Sequence, residues 1–283
     1  MAEITAAQVM KLRDETGLPM MDCKKALQES SGDFEQAKQT LREKGIKLMA
    51  IRSDRPTEEG RIAVYTSLNP GVGAMVELQV ESAPVAKHEE IIGLANDLAK
   101  QLATGPGAKT PEELWKQPAP SRKGVTLQDW KDEIEGKMRE VLRLARVERW
   151  DASTGGYVHH DAKSGVLLEV QGGNDELARS VAMHIAAMKP KATTTAELDK
   201  ALVEKERSIL TEQARKEGKP DNIIEKMIEG RMRNFYAENV LSEQPFVKDD
   251  KQSVGKVAEA GGMKLVKFVR WQLGETSGEK PAA

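Results

Sequence analysis

Apolar residues recur every three to four positions through the first 45 residues and are interrupted by glycines and one proline, which predicts three short helices. Thr5 and Gln8 have the spacing of a capping box, Val9 and Leu12 form an apolar face, and Gly17 is placed to end the segment. The first helix is therefore expected over 6–16. After Leu18-Pro19, the residues Met20, Cys23 and Leu27 fall on one stripe of a second helix. Asp33 is placed to cap a third, with Phe34, Ala37 and Leu41 inward and Gly45 as its stop. Residues 47–59 lose any sustained period and read as a linker.

The middle of the chain is patterned twice. Gly73-Ala-Met-Val-Glu77-Leu-Gln79 can be set against Gly165-Val-Leu-Leu-Glu169-Val-Gln171 with Gly, Glu and Gln in register. Each follows a β-prone segment, 61–65 or 156–159, and precedes an amphipathic helix. One helix carries Ile91, Ala95, Leu98 and Leu102 on a face, and the other Leu177, Val181, His184, Ile185 and Met188. Between the first repeated strand and its helix, Ser82 is placed to cap with its hydroxyl while Pro84 falls in the first turn. On local residues alone this corner is open to two readings, a plain connection or a protruding tip that meets a partner.

Residues 104–124, with four prolines and several glycines, read as a surface loop. Thr126 should cap a long helix with the stripe Leu127, Trp130, Ile134, Met138, Val141 and Ala145. Thr194 and Glu197 form another capping-box pattern, opening a helix with Leu198, Leu202 and Ile209. Gly218-Lys-Pro220 breaks it before Ile223, Ile224, Met227, Ile228 and Met232 begin another, so an antiparallel helical hairpin is expected over 195–236. Residues 264–273 are the clearest strand, and 276–283 read as a disordered tail. The fold class is α+β.

Composition narrows the function classes. The 43 basic and 45 acidic side chains leave a net charge of −2, without the electrostatic footprint of sequence-independent nucleic-acid binding. The single cysteine excludes an internal disulfide framework and suits a reducing compartment. No apolar run approaches the ~18 residues of a membrane span, and the start lacks the pattern of a secretory signal. A cytoplasmic protein is expected, with no membrane and no nucleic acid among its partners. With 4% aromatics, its cores rest on aliphatic and methionine side chains.

Enzyme chemistry finds little support. His159-His160-Asp161 lacks further ligands for a metal, and adjacent histidines at a hairpin turn do not share a face. His184 lies on the apolar face of its helix and reads as a satisfied core residue. Cys23 reads as packing, since no His/Asp arrangement accompanies it. The glycines match neither a phosphate-binding loop nor a dinucleotide fingerprint. No cofactor, metal or catalytic residue is expected. Met20 and Met21 are consecutive, so one can pack inward while the other meets a partner, or both can fill the core.

The run Thr16-Gly-Leu-Pro-Met-Met-Asp-Cys-Lys-Lys-Ala-Leu27 resembles the N-terminal signature of the translation elongation factor Ts family. Met183-His-Ile-Ala-Ala-Met-Lys-Pro190, Glu229-Gly-Arg-Met232 and Gln244-Pro-Phe-Val247 resemble further family motifs in the right order, and the likeness covers residues 1 to about 275. The resemblance implies a three-helix ubiquitin-associated-like module (1–46), the linker (47–59), a core α+β subdomain N (60–150), and a related subdomain C (151–275) carrying the helical coiled-coil hairpin. It further implies a guanine nucleotide exchange factor that binds elongation factor Tu, GDP-bound and nucleotide-free, and promotes GDP release by disturbing the magnesium and phosphate site.

Carried over by position, Arg13, Met20, Met21, Lys24, Met138 and His159 would contact the partner. Gln244-Pro-Phe-Val247 would be structural, and Ser82, Ala83, Pro84 and Val85 would form the magnesium-dislodging segment. A homodimer through the coiled-coil arm is a further association the family likeness allows.

The chain departs from the family at that segment. Members usually read Thr-Asp-Phe-Val-Ala there, whereas this chain reads Ser82-Ala-Pro-Val-Ala86. Arg139 stands where a glycine is usual, and no counterpart follows of the C-terminal helix that many members carry. The alternative reading is a divergent binding-only regulator or chaperone of elongation factor Tu with weak or no exchange. An unrelated hydrolase or metalloprotein built on His159, His160 and Asp161 is a third.

Overall fold

The computed structural model describes residues 4–52, 54–216 and 221–275. It is a mixed α+β protein in which N-terminal helices precede antiparallel sheets and further helices. The described chain divides into two compact units, Met1–Ala63 with Ala74–Arg149 and Gln272–Ala283, and Val64–Gly73 with Trp150–Trp271.

Three helices open the chain, α1 (Ala6–Thr16), α2 (Met20–Glu29) and α3 (Phe34–Ile51). Both halves of the Thr5/Gln8 capping box form, and Gly17 ends α1 in the left-handed region (φ 70°), which favours glycine. Val9, Leu12, Cys23, Ala26, Leu27, Ala37 and Leu41 make the core of this bundle. Met20 does not join it. As the first residue of α2 it lies beyond the core's edge, and Leu18 packs there instead. Nor does Gly45 stop α3, which continues through it to Ile51. There α3 packs against α7 (Leu127–Met138): a Cβ on Gly45 would meet the Gly136 Cα at 3.8 Å, an ordinary contact, and this packing carries the helix past its local stop signal.

Strands β1 (Glu59–Ser67) and β2 (Val72–Val80) lead through the short α4 (Ala83–Ala86) into α5 (Glu89–Thr104). Ile91, Leu94, Ala95, Leu98 and Leu102 are buried along α5, the face read from the sequence. The expected surface loop instead holds α6 (Pro111–Trp115), which buries Leu114 and Trp115. Thr110 caps α6 and Pro111 occupies its first turn, where a missing N–H costs nothing. Thr126 and Asp129 form a complete capping box on α7. That helix ends at Met138, short of Val141 and Ala145, and β3 (Arg143–Trp150) follows. Ala145 thus lies in a strand, and its helical spacing from Val141 is coincidental. The sheet order is β1-β2-β3.

In the second sheet, order β4-β5-β8, β4 (Thr154–Val158) pairs antiparallel with β5 (Ser164–Gly172), from Thr154 opposite Glu169 to Val158 opposite Gly165. Helix α8 (Asp175–Met188) covers these strands with Ala178, Val181, Ala182 and Ile185, whereas Met188 at its end is exposed.

Helices α9 (Lys200–Lys216) and α10 (Asp221–Asn239) pack together through Leu210 and Ala214 against Ile224, Ile228 and Met232. Leu210 rather than the exposed Ile209 faces inward. The expected helix start at Thr194 forms only a 3₁₀ turn at Thr195–Glu197, because Glu197 closes back on the Thr193 N–H (3.1 Å) and Leu198 turns extended into a core with Ala192 and Val240. The Gly218-Lys-Pro220 break and the tail 276–283 lie outside the described residues. Beyond α10 come the two-stranded β6 (Pro245–Phe246) and β7 (Asp249–Ser253), α11 (Val254–Ala260) and β8 (Met263–Gln272).

Candidate functional site

Cys23, Ala26 and Leu27 turn one side of α2 into the bundle core; Met21 and Lys24 lie off that side, and Met20, on the same stripe as Cys23 and Leu27, stands beyond the core's edge at the start of the helix. Met20 is 47% exposed and Met21 61%, so neither methionine fills the core. Large apolar side chains presented in pairs at a surface favour a partner that desolvates them, and methionine adapts its shape to the contact. Arg13, in the last turn of α1, is exposed as well. Cys23 is fully buried, its Sγ 3.7 Å from both the Leu18 carbonyl and the Thr16 hydroxyl, in keeping with a packing role.

The corner after β2 is held from below. The Ser82 N–H donates to Glu140 Oε2 (3.0 Å) and its hydroxyl donates to Glu140 Oε1 (2.6 Å). The hydroxyl makes no cap on α4, contrary to the sequence expectation: the side chain is turned toward Glu140 instead of over the first turn of the helix. Glu81 returns the interaction: its Oε1 accepts the Val141 N–H (2.9 Å) while Oε2 pairs with Arg55 (3.1 Å). At the far end, Arg61 Nη1 donates to the Ala86 carbonyl (3.2 Å). Pro84 is exposed, Ala83 and Val85 are half-buried, and Ala86 is buried. The corner thus presents a small, apolar, rigid surface.

Arg139, which ends α7, adopts left-handed backbone geometry (φ 57°, ψ 28°). For a residue with a Cβ this costs roughly 1 kcal/mol. Its guanidinium bonds Asp22 of α2 (2.5 Å), and its carbonyl accepts from Arg52 Nη1 (3.0 Å). Arg42 of α3 also pairs with Asp129 of α7. Met138, just before this turn, is half-buried.

In the second unit, His159 follows β4 and is half-buried. Its N–H donates to the Ser164 carbonyl (2.9 Å), its Nδ1 lies 3.1 Å from the Tyr157 hydroxyl, and its ring stands beside that of His160. Among the described residues, no three His, Cys, Asp or Glu side chains are grouped to hold a metal ion.

His184 is fully buried, as the sequence reading expects. The Val247 N–H donates to its Nδ1 (3.3 Å), so the proton sits on Nε2 and is given to Gln244 Oε1 (2.9 Å). Gln244 Nε2 in turn donates to the Glu238 carbonyl (3.0 Å), and the 183–190 and 244–247 motifs are thereby joined. Within Gln244-Pro-Phe-Val247, Gln244 and Phe246 are buried and Val247 is exposed. Burial lowers the His184 pKa below its ordinary 6.5, and the Gln244 bond offsets this in part.

The unfolded chain therefore binds the proton more readily than the folded one. His184 contributes stability that is fully present above about pH 6.5 and is lost as pH falls through the lowered folded value. Urea midpoints measured from pH 7.5 down to 5 should fall less steeply in His184→Gln than in the natural chain. Equal slopes would place the titration elsewhere.

The clamp between 81–82 and 140–141 has no sequence signature, since Glu81 and Glu140 lie among many acidic residues. Arg139 next to it holds a left-handed backbone that glycine adopts more readily.

The model of the family "Elongation factor TS" matches residues 81–275. Curated relatives described as elongation factor Ts align along nearly the whole chain. That of Hyphomonas neptunium is 43% identical over 284 residues, covering 97% of this chain and 93% of its own. That of Azoarcus sp. is 41% identical over 277 residues, covering 97% and 92%. That of Saccharopolyspora erythraea is 39% identical over 280 residues, covering 97% and 100%.

Proposed function

The chain belongs to the elongation factor Ts family, and from that membership we propose that it serves translation elongation as the nucleotide exchange factor of elongation factor Tu. It is an exchange factor and not an enzyme. Similarity at about 40% identity along almost the full length carries this conclusion.

Exchange is catalysis of dissociation by differential binding. The factor grips the nucleotide-free GTPase more tightly than the GDP-loaded one, so bound factor and bound GDP weaken each other by the same free energy. In our reading the exposed face of α2, Met20, Met21 and Lys24, with Arg13, anchors the partner's nucleotide-binding domain. Met138 and His159 add contacts. The corner at Ser82–Val85 is pushed toward the partner's magnesium ion, where insertion unsettles ion and phosphate contacts and leaves the diphosphate charge less compensated.

The finer architecture belongs to the same proposal. It comprises a ubiquitin-associated-like α1–α3 module, two related α+β subdomains built around the repeats at 73–79 and 165–171, and α9–α10 as a coiled-coil arm. The exposed Ile209 of that arm offers a contact for a second copy. No helix among the described residues is long and apolar enough to cross a membrane, in keeping with a cytoplasmic site of action.

One observation favours the alternative, a binding-only regulator: the corner carries Ala83 and Pro84 where the family's acid and aromatic would stand. Stopped-flow release of a fluorescent GDP from elongation factor Tu separates the two. The exchange reading expects a saturable acceleration, and release no faster than the spontaneous rate at saturating protein would leave only the regulator. In the same assay, Ala83→Asp with Pro84→Phe should raise the rate of the natural chain. A folded variant with no gain would show that this corner works without those side chains.

A further inference from the structure

We propose that Glu140 is a positioning residue for exchange, setting the corner at Ser82–Val85 in place through Ser82 and joining it to the α2 face through the Arg139 turn. The proposal rests on the exchange reading above and adds to it which residue delivers the corner.

Both oxygens of the Glu140 carboxylate are spent inside the chain, one on the Ser82 N–H and one on the Ser82 hydroxyl. Two bonds from one planar group to one residue fix its direction as well as its position. Glu81 adds a third bond by accepting the Val141 N–H. Segments 81–82 and 140–141 therefore hold each other reciprocally, each giving a carboxylate and a backbone amide. Helix α4 is four residues long and too short to fix its own direction. Its orientation comes from this clamp at one end and from Arg61 at the other.

The clamp is itself anchored. Arg139, adjoining Glu140 in sequence, takes up its left-handed conformation with its guanidinium on Asp22 and its carbonyl on Arg52. Asp22 immediately follows Met21. One turn thus connects the exposed methionine face to the corner, and docking of that face fixes where the corner arrives.

Stiffness matters more in this chain than it would with longer side chains at the tip. Ala83, Pro84 and Val85 cannot reach, so the backbone must be held where it acts, and a misplacement of about 1 Å can cost a process that depends on geometry up to about a hundredfold.

The test is GDP release from elongation factor Tu across a concentration series of the full-length chain. In Glu140→Ala the maximal release rate should fall about tenfold, as for loss of a charge-assisted bond pair, while the half-saturating concentration moves less than about twofold. Glu140→Gln, which keeps one acceptor oxygen for the Ser82 N–H, should fall between that variant and the natural chain. Amide hydrogen exchange at Ser82 should quicken in Glu140→Ala.

A folded Glu140→Ala that reaches the natural maximal rate would overturn the proposal, as would a loss confined to half-saturation. Should the alanine variant fail to fold, Ser82→Ala removes one of the two bonds from the other side and must lower the maximal rate for the proposal to stand. If the natural chain itself gives no acceleration, the exchange reading falls and the clamp's role with it. Acceleration left intact in both clamp variants overturns the clamp alone.

Discussion

Arg146→Ala is expected to destabilise the chain by about 3–5 kcal/mol, because it strands a buried carboxylate. Glu77, on β2, has no exposure to solvent. Arg146 Nε donates to its Oε2 (2.7 Å), and Oε1 accepts from Gln79 Nε2 (2.8 Å) and from the Gly274 N–H (3.1 Å). Thr57 donates to Gln79 Oε1 (3.1 Å), and Arg146 Nη2 donates to the Gln272 carbonyl (2.9 Å). This single network ties the segment before β1, the centre of β2, β3 and the end of β8 together. Removal of the guanidinium leaves the charge with neutral donors only. Replacement of both partners, Glu77→Leu with Arg146→Met, should cost far less, since no buried charge remains. Urea denaturation of the two variants decides it, and a loss below about 1 kcal/mol in Arg146→Ala would show that the pair contributes little.

Met20→Ala combined with Met21→Ala should weaken association with elongation factor Tu by about 2 kcal/mol or more, roughly thirtyfold in Kd. Each side chain stands in solvent in the free chain and is positioned to be desolvated by a partner. For the same reason, truncation should leave unfolding stability within about 0.5 kcal/mol. That combination separates an anchor from a core residue, which would lose stability instead. Titration calorimetry against the nucleotide-free GTPase gives the first quantity and urea denaturation the second. A Kd within twofold of the natural value would remove the methionines from the interface.

Local chemistry made much of this fold legible in the sequence. The capping boxes at Thr5 and Thr126, the left-handed stop at Gly17 and the buried stripe of α5 are each written in neighbouring residues. Misreadings arose where tertiary contacts overrode a local signal. Helix α3 runs on through Gly45 where it packs against α7, and β3 follows α7 because Arg139 accepts a left-handed turn. Helix α6 escapes a local reading because the prolines and glycines of 104–124 look like a loop, although Thr110 and Pro111 start it.

Of the candidate site, the methionine pair was visible as residues, but not its exposure, since Met20 shares the helical stripe of the buried Cys23 and Leu27 and is exposed only because the core ends short of the first residue of α2. The Glu140–Ser82 clamp spans 58 positions, and nothing local to either residue names its partner, so only the folded chain reveals it.

The central claim is that this chain and GDP oppose each other on elongation factor Tu, and equilibrium binding tests it most directly. The Kd of the chain for the GTPase is to be measured without nucleotide and again with saturating GDP. The account predicts tighter binding without GDP, by the same factor through which the chain weakens GDP in the reciprocal titration. Equal affinity in the two conditions would contradict it, because a ligand with no preference between the two states shifts neither.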